Sequence, residues 1–290
     1  MNFIPTIPVA ELSENSHKAV SLGNKKIALF HYNNKISAIG NACLHKGGDL
    51  GQGFIQTLDD GETYVACPWH GWQYNLITGK APHGYKDQQA VYEVRIENGV
   101  ICVSGEPIVK AVKAKHDFDP LADLTNLEYQ TTPTSLNILG ISTTNLNKDL
   151  PRESTSENAL QEALDFAKGE YGAQTKMLKL RDLSFRHCEG YYSRHEQACT
   201  WPCSISEMNP EDGMNDVYRT MVLWADVVIL ATPIRWGNAS SLYYKMAERL
   251  NTVQNQITIR DKVLIKNKVA SFIVTGGQDN IQAVVGQLNT

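Results

Sequence analysis

No stretch of this 290-residue chain approaches the roughly 18 consecutive apolar residues from which a membrane-spanning helix is built, so no membrane partner is expected. The first residues, MNFIPTIPVAELSENS, lack the basic start and the apolar core of a secretory leader, which points to the cytoplasm. Lys and Arg form no run and the net charge is −4, which argues against nucleic acid as a partner. There is no compact G-x-G-x-x-G, so a separate dinucleotide domain is not expected. Apart from His45 and His70, the histidines are His17, His31, His83, His116, His187 and His195. No two of these form a close pair on a helix after an acid, which leaves a mononuclear iron held by two His and a carboxylate without a source. Cysteine is scarce, six in all. In a reducing compartment these read as metal ligands or free thiols rather than disulfides.

Hydrophobic residues make up 42% and charged residues 20%, ordinary for a globular protein. The length suggests two domains. The most informative stretches are Cys43-Leu44-His45 and Cys67-Pro68-Trp69-His70-Gly71-Trp72, with twenty-one residues between His45 and Cys67. Each supplies one Cys and one His. Two thiolates and two imidazoles suit an iron–sulfur centre of mixed ligation, in which two Cys hold one iron and two His the other. A structural zinc site is the alternative reading, although zinc spacings usually pair Cys with Cys and His with His. The CPWHGW stretch and the Tyr74-to-Lys80 run that follows it resemble the Rieske [2Fe–2S] family, in its soluble ferredoxin and oxygenase-type branch. The resemblance implies Cys43, His45, Cys67 and His70 as ligands, with the two histidines at the exposed edge of the cluster. Residues 79–84 are similar to the family's covering loop, which makes His83 a loop residue before a ligand. The respiratory-complex members carry an extra Cys in each ligand loop; here Gly47 and Pro68-Trp69 stand instead. That implies the simpler type, toward the bottom of the roughly −150 to +300 mV Rieske range, unless a hydroxyl such as that of Tyr74 reaches a sulfur.

Around these loops the first domain, 1–106, reads as short strands. Residues 26–32 and 35–39 form a hairpin about Asn33-Asn34, residues that tolerate positive φ. Residues 91–96 and 100–103 form a closing hairpin at Glu97-Asn98-Gly99. Cys102 alternates inward and is expected in the core. The expectation is an all-β sandwich with both ligand loops at one end. A linker, 107–134, follows, with a short helix at 120–128 as the alternative reading of part of it.

From 135 to 290 the pattern changes to alternating strands and helices. Strands are expected at 136–141, 175–180, 226–231 and 269–274. Helices are expected near 156–168, 217–224, 239–250 and 280–288. This order predicts a parallel, doubly wound sheet. Three loops fall at the carboxyl ends of its strands. They are Ser142-Thr143-Thr144 through Ser154-Thr155-Ser156 and Asn158, then Thr232-Pro233-Ile234-Arg235-Trp236-Gly237, then Thr275-Gly276-Gly277. Hydroxyls ahead of a helix N-terminus make a phosphate site, and ligands of open sheets bind at the switch point beyond the strand ends. The three loops resemble those of the flavodoxin-like NAD(P)H-dependent FMN reductases. The resemblance implies FMN as a cofactor with these residues around it, NAD(P)H stacking from outside, and a homo-oligomer through this domain. An insertion around Lys148 to Arg152 departs from the family and leaves open which hydroxyl meets the phosphate. The family's sheet has five strands in the order 2-1-3-4-5, but only sixteen residues follow Val274. The fifth strand is expected to be missing, which implies a truncated chain or a partner over the edge. Cys188, Cys199 and Cys203 lie where some relatives carry a four-Cys cluster. Here they read as free thiols in a loop that covers the flavin, with a zinc or cluster site as the alternative.

These parts together predict an electron-transfer oxidoreductase. NAD(P)H would reduce FMN, FMN the [2Fe–2S] cluster, and the cluster an external acceptor such as an oxygenase or a reductase. The alternative is a Rieske ferredoxin-type carrier whose C-terminal half binds flavin without acting as a reductase.

Overall fold

The structure, a computed structural model, describes residues 2–82, 85–114, 135–147, 149–150, 152–209, 211–277 and 280–288. His83, the 120–128 segment and parts of the Lys148–Arg152 insertion lie outside the described residues. The chain divides into two compact units, Met1–Asp117 with Tyr191–Ala198, and Phe118–Gly190 with Cys199–Thr290.

The first unit contains strands β1 (Phe3–Pro8), β2 (Ser16–Leu22), β3 (Lys25–Tyr32), β4 (Lys35–Gly40), β5 (Phe54–Thr57), β6 (Thr63–Ala66), β7 (Gln73–Asn75), β8 (Val91–Tyr92), β9 (Val94–Glu97) and β10 (Val100–Ser104). They form three antiparallel sheets in the orders β1-β10-β9, β2-β3-β4-β8 and β5-β6-β7. The β3–β4 hairpin turns on Asn33 and Asn34, both at φ +55°. The β9–β10 hairpin turns on Asn98 at +50° and Gly99 at +76°. Both are two-residue turns with positive φ at each centre, which match the twist of the strands they join. Ile27, Leu29, Ala38, Ile101 and Val103 pack between sheets with Leu12 and Leu22. Cys102 is buried, as its alternation required. The sheet unit does not stop at 106. Val91 N–H donates to the Val109 carbonyl at 2.9 Å, and Gln88 and Val112 exchange two backbone bonds at 2.9 and 2.7 Å. The start of the expected linker is therefore part of this unit, held by backbone pairing; residues 115–134 lie outside the described ones.

The second unit is built on β11 (Asn137–Ser142), α1 (Thr155–Tyr171), β12 (Gln174–Lys179), short helices α2 (Ser204–Met208) and α3 (Met214–Tyr218), β13 (Val227–Pro233), α4 (Ser241–Arg260), β14 (Val269–Thr275) and α5 (Ile281–Leu288). The four strands are parallel, in the order β12-β11-β13-β14. In sequence order that is 2-1-3-4, the expected doubly wound arrangement. Among the described residues nothing pairs with the outer edge of β14, where Val269 is exposed. Leu160 and Leu164, one turn apart on α1, face the sheet, and burying each contributes about 1.5–3 kcal/mol. They come so close that a Cβ on Gly140 of β11 would meet Leu164 Cδ1 at 2.8 Å. The helix starts on Ser154, whose hydroxyl accepts from Glu157 N–H, and ends at Gly172 with φ +61°, the usual pair of helix boundaries. On the other face, Arg249 of α4 is 1% exposed. Its guanidinium donates to Asp212 at 3.0 Å, to Ser206 Oγ at 2.7 Å and to the Arg186 carbonyl at 2.8 Å. Such a charge is tolerated inside only when paired in this way, so the network pins the loop after β12 onto α4.

Candidate functional site

The two ligand stretches fold into the same turn. Gly47 N–H donates to the Cys43 carbonyl at 2.8 Å and Gly71 N–H to the Cys67 carbonyl at 2.9 Å. Cys43 N–H is then satisfied by the Gly48 carbonyl at 2.8 Å, and Cys67 N–H by the Trp72 carbonyl at 2.7 Å. Both turns need the left-handed region at the fifth position, with Gly47 at φ +88° and Gly71 at +74°, which only glycine adopts freely. The shared fifth-position Gly is a sequence signal that spacing alone left unused.

The turns bring the four predicted donors together. Cys43 and Cys67 are buried and hydrogen-bonded to each other, and the His45 and His70 rings lie 4.7 Å apart between centroids. The Nδ1 atoms of both histidines are sealed from solvent. His70 Nε2 lies 2.8 Å from the Ala198 carbonyl. A carbonyl only accepts, so Nε2 carries the ring proton and Nδ1 keeps its lone pair for a metal. The Cys67 hydrogen bond, with N–H groups of His45 and Lys46 and the Tyr74 hydroxyl, draws the Cys43 thiol below its ordinary value against the opposing effect of burial. The Cys67 thiol is pushed up by that same shared hydrogen bond and by burial. A Cβ on Gly48 would meet Cys67 Sγ at 2.5 Å, so the absence of a side chain there keeps the space beside the sulfur open. Among the described residues no group of three or more His, Cys, Asp or Glu is placed to hold a single metal ion. The four donors form two pairs, and two soft and two imidazole donors fit the two-iron, mixed-ligand centre.

Three surroundings of these donors complete the site, of which only the Tyr74 hydroxyl was raised by the sequence. The Tyr74 hydroxyl, left open by the sequence, lies 3.6 Å from Cys43 Sγ and accepts from Leu44 N–H at 3.1 Å. Trp72 stacks on His45 at 4.8 Å and donates to Asp87 at 3.2 Å. Residues Tyr191–Ala198 surround His70, which is 7% exposed. This corrects the expectation of two histidines at an exposed edge: His45 is half-buried and His70 is covered.

In the second unit a cleft of about 620 Å³ opens beyond the carboxyl ends of β11, β13 and β14. It is lined by Ser154, Thr155, Ser156, Pro233, Arg235, Thr275 and Gly276 from the expected loops, by Arg152 of the insertion, and by Leu146, Glu153 and Val274, which were not singled out. Arg152 belongs to the insertion and adds a cation beside the three hydroxyls at the start of α1. The other expected residues serve as its frame. Ser142 is buried and donates to Glu157 at 3.0 Å. Thr144 Oγ1 lies 2.8 Å from Ser154 Oγ and 3.1 Å from Ser156 Oγ. Ser240, not anticipated, donates to the Thr143 carbonyl at 2.6 Å, while its N–H donates to Thr232 Oγ1 at 3.1 Å. Ile234 is buried and Asn158 faces solvent on α1. Trp236 and Gly237 form a tight turn closed by mutual bonds of Arg235 and Asn238 at 2.7 and 3.0 Å, and Trp236 is 96% exposed at its tip. Gly277 lies outside the lining. Hydroxyls and a helix N-terminus at one end of the cleft and a loop at the other fit a phosphate and a planar ring. Below it Glu157 is paired with Lys179 at 2.7 Å and with Arg181. Burial works against its charge, but these bonds and that of Ser142 outweigh it and hold the carboxyl at about 2.

Cys188, Cys199 and Cys203 form no disulfide among the described residues. Cys199 Sγ accepts from Asn251 at 3.4 Å and Cys188 Sγ from Gly190 N–H at 3.4 Å.

A family model described as Rieske [2Fe-2S] domain matches residues 2–95. One described as NADPH-dependent FMN reductase matches residues 137–290, just over half of the chain. Among curated proteins, methylxanthine N3-demethylase NdmB of Pseudomonas putida is 33% identical over 66 residues, 23% of this chain and 18% of its own length. The 3-phenylpropionate/cinnamic acid dioxygenase ferredoxin subunit of Photorhabdus laumondii is 36% identical over 73 residues, 25% of this chain and 65% of its own. This chain therefore spans less than two thirds of the length of these curated relatives. Among solved structures, a ferredoxin of Sphingomonas yanoikuyae B1 is 25% identical at a TM-score of 0.31, covering 35% of this chain and 97% of that one.

Proposed function

The chain belongs to the NADPH-dependent FMN reductase family and carries a Rieske [2Fe-2S] domain ahead of the reductase domain, and from that premise we propose that it passes electrons from NADPH by way of FMN to the cluster and on to an external acceptor. It is an oxidoreductase of the electron-transfer kind, with a [2Fe–2S] cluster, FMN and NADPH as its cofactors. When bound, FMN accepts a hydride from the nicotinamide and releases single electrons, which is the form in which a [2Fe–2S] centre takes them. The observation that carries the reading is the pairing, in one chain, of the two-Cys, two-His turns with the hydroxyl-lined cleft at the switch point.

The residues then have these roles. Cys43 and Cys67 hold one iron and His45 and His70 the other, with Nδ1 of each ring as ligand atom. Ser154, Thr155 and Ser156 offer hydroxyls and N–H groups to the FMN phosphate, and Arg152 neutralises it. Pro233 to Gly237 and Thr275-Gly276 flank the ring, and the exposed Trp236 lies where a nicotinamide approaches. The acceptor belongs to the class of oxygenases or reductases, a reading supported by the likeness to a dioxygenase ferredoxin subunit. The test is anaerobic addition of NADPH to the reconstituted chain, with visible and EPR spectra recorded together. Bleaching of the flavin and appearance of a reduced Rieske signal are expected. Flavin bleaching with no cluster signal would refute the route, and failure to bleach either would leave a carrier.

A further inference from the structure

The eight residues Tyr191–Ala198 lie in sequence between β12 and α2, yet they form part of the first unit. The segment shapes itself. Arg194 N–H donates to the Tyr191 carbonyl at 2.9 Å, Ala198 N–H to the His195 carbonyl at 2.9 Å, and Gln197 N–H to His195 Nδ1 at 3.2 Å. These bonds close two short 3-10 turns, Tyr191–Ser193 and Glu196–Cys199. The segment then makes three contacts with the second ligand loop. The Ala198 carbonyl accepts from His70 Nε2 at 2.8 Å. The Tyr191 ring meets the His70 ring edge to face at 4.7 Å and 84°. The His195 ring stacks on Trp69 at 4.7 Å and 17°.

We infer that Tyr191–Ala198 is the outer wall of the cluster site, a set of positioning residues supplied from the reductase half of the sequence. The Ala198 carbonyl fixes the tautomer and rotation of the His70 ring. A ligating histidine is ordinarily fixed through its second nitrogen in this way, and loss of such a partner weakens metal binding. Tyr191 and His195 exclude water from the His70 edge, and their rings hold the Trp69–His70 segment in place. A further consequence concerns partners. A protein that approaches the cluster over His70 meets Tyr192, Arg194 and Glu196, all exposed, rather than a bare imidazole.

The inference rests on the ligand assignment above, so its test is independent of FMN and NADPH. The full-length chain, reconstituted with iron and sulfide, is reduced with dithionite, and its EPR spectrum and the rate of iron loss to a chelator are measured. The Tyr191→Ala/His195→Ala double variant is expected to lose iron about tenfold faster, within the range for removing partners of metal ligands, and to show shifted g-values. The Tyr191→Phe variant keeps both rings and the His195 Nδ1 acceptor and is expected to restore the wild-type rate, which separates a wall from a general loss of folding. Iron loss and g-values in the double variant equal to those of the wild type would overturn the inference. So would failure of the ring-preserving variant to restore them. A wild-type chain with no Rieske spectrum at all would overturn the ligand assignment itself and the inference with it.

Discussion

Tyr74 places a hydroxyl beside one of the sulfurs expected to hold the cluster. Its ring is buried in β7 and its hydroxyl faces Cys43 Sγ. Burial, followed by the charge on Cys43, pushes the Tyr74 phenol upward, so it stays protonated and acts as donor. Negative charge on the sulfurs grows when the cluster takes an electron, and a donor there favours the reduced state. Tyr74→Phe removes one hydrogen bond of about 1 kcal/mol and is expected to lower the potential by roughly 40 mV, at 59 mV per tenfold for one electron. A potentiometric titration followed by EPR reads this directly, and an unchanged potential would show that the hydroxyl does not act on the sulfur. Gly48 is a second single-residue control. Gly48→Ala puts a methyl within 2.5 Å of Cys67 Sγ and 3.1 Å of the Trp69 ring. The variant is expected to retain its β-sheet circular dichroism while binding less than about half of the iron, since displaced ligands and their supports lower affinity 10- to 100-fold. Iron content at the wild-type level would refute the close packing.

At the scale of elements, the start of α1 lines the cleft beyond the strand ends, and its first turn is tied to β12 through Glu157. Its carboxyl is held at about 2 against an ordinary 4.5. A carboxylate depressed in the folded state contributes stability that is fully present above its unfolded value and is lost as it protonates on the way down. The window is therefore from about pH 4.5 down to about pH 2. Glu157→Gln is expected to lower stability at pH 7 by roughly 1–3 kcal/mol, the cost of leaving hydrogen-bonded charges without their partner, and to flatten the decline of melting temperature expected of the wild type between about pH 5 and 3. Equal slopes in the two proteins would contradict the pairing. The same elements show what was legible beforehand. The β11–α1–β12–β13–α4–β14 order followed from the change from close-spaced strands to alternating strands and helices, and the Asn33-Asn34 turn from residues that tolerate positive φ. What escaped was non-local. Nothing in Ser240 announces that its hydroxyl reaches Thr143, ninety-seven residues away. Ser142, Thr143 and Thr144 read as phosphate donors because hydroxyls in a loop look alike until burial distinguishes lining from frame. Tyr191–Ala198 could not be assigned to the first unit, because tertiary contacts alone put it there.

For the whole molecule, joining both sites in one chain has a kinetic consequence. Covalent linkage replaces a bimolecular encounter by an effective local concentration, independent of how dilute the protein is. If each chain reduces its own cluster, the rate at which the Rieske signal develops after anaerobic mixing with saturating NADPH is the same over a tenfold dilution. A rate proportional to protein concentration would instead mean transfer between chains, and would remove the reason for the fusion. Electron counting gives a second readout from the same experiment. FMN takes two electrons and the cluster one, while each NADPH brings two. Complete reduction of both centres is therefore expected at about 1.5 equivalents of NADPH per chain. An endpoint at about one equivalent, with the cluster still oxidised, would place the cluster below the reach of the flavin. Tyr74→Phe sharpens the comparison. By lowering the cluster potential it should leave the flavin endpoint unchanged and make the final half equivalent harder to drive, so that more NADPH is needed for the same Rieske signal. A shift of the flavin endpoint instead would mean that Tyr74 acts on the reductase half, a result that its contact with Cys43 does not predict.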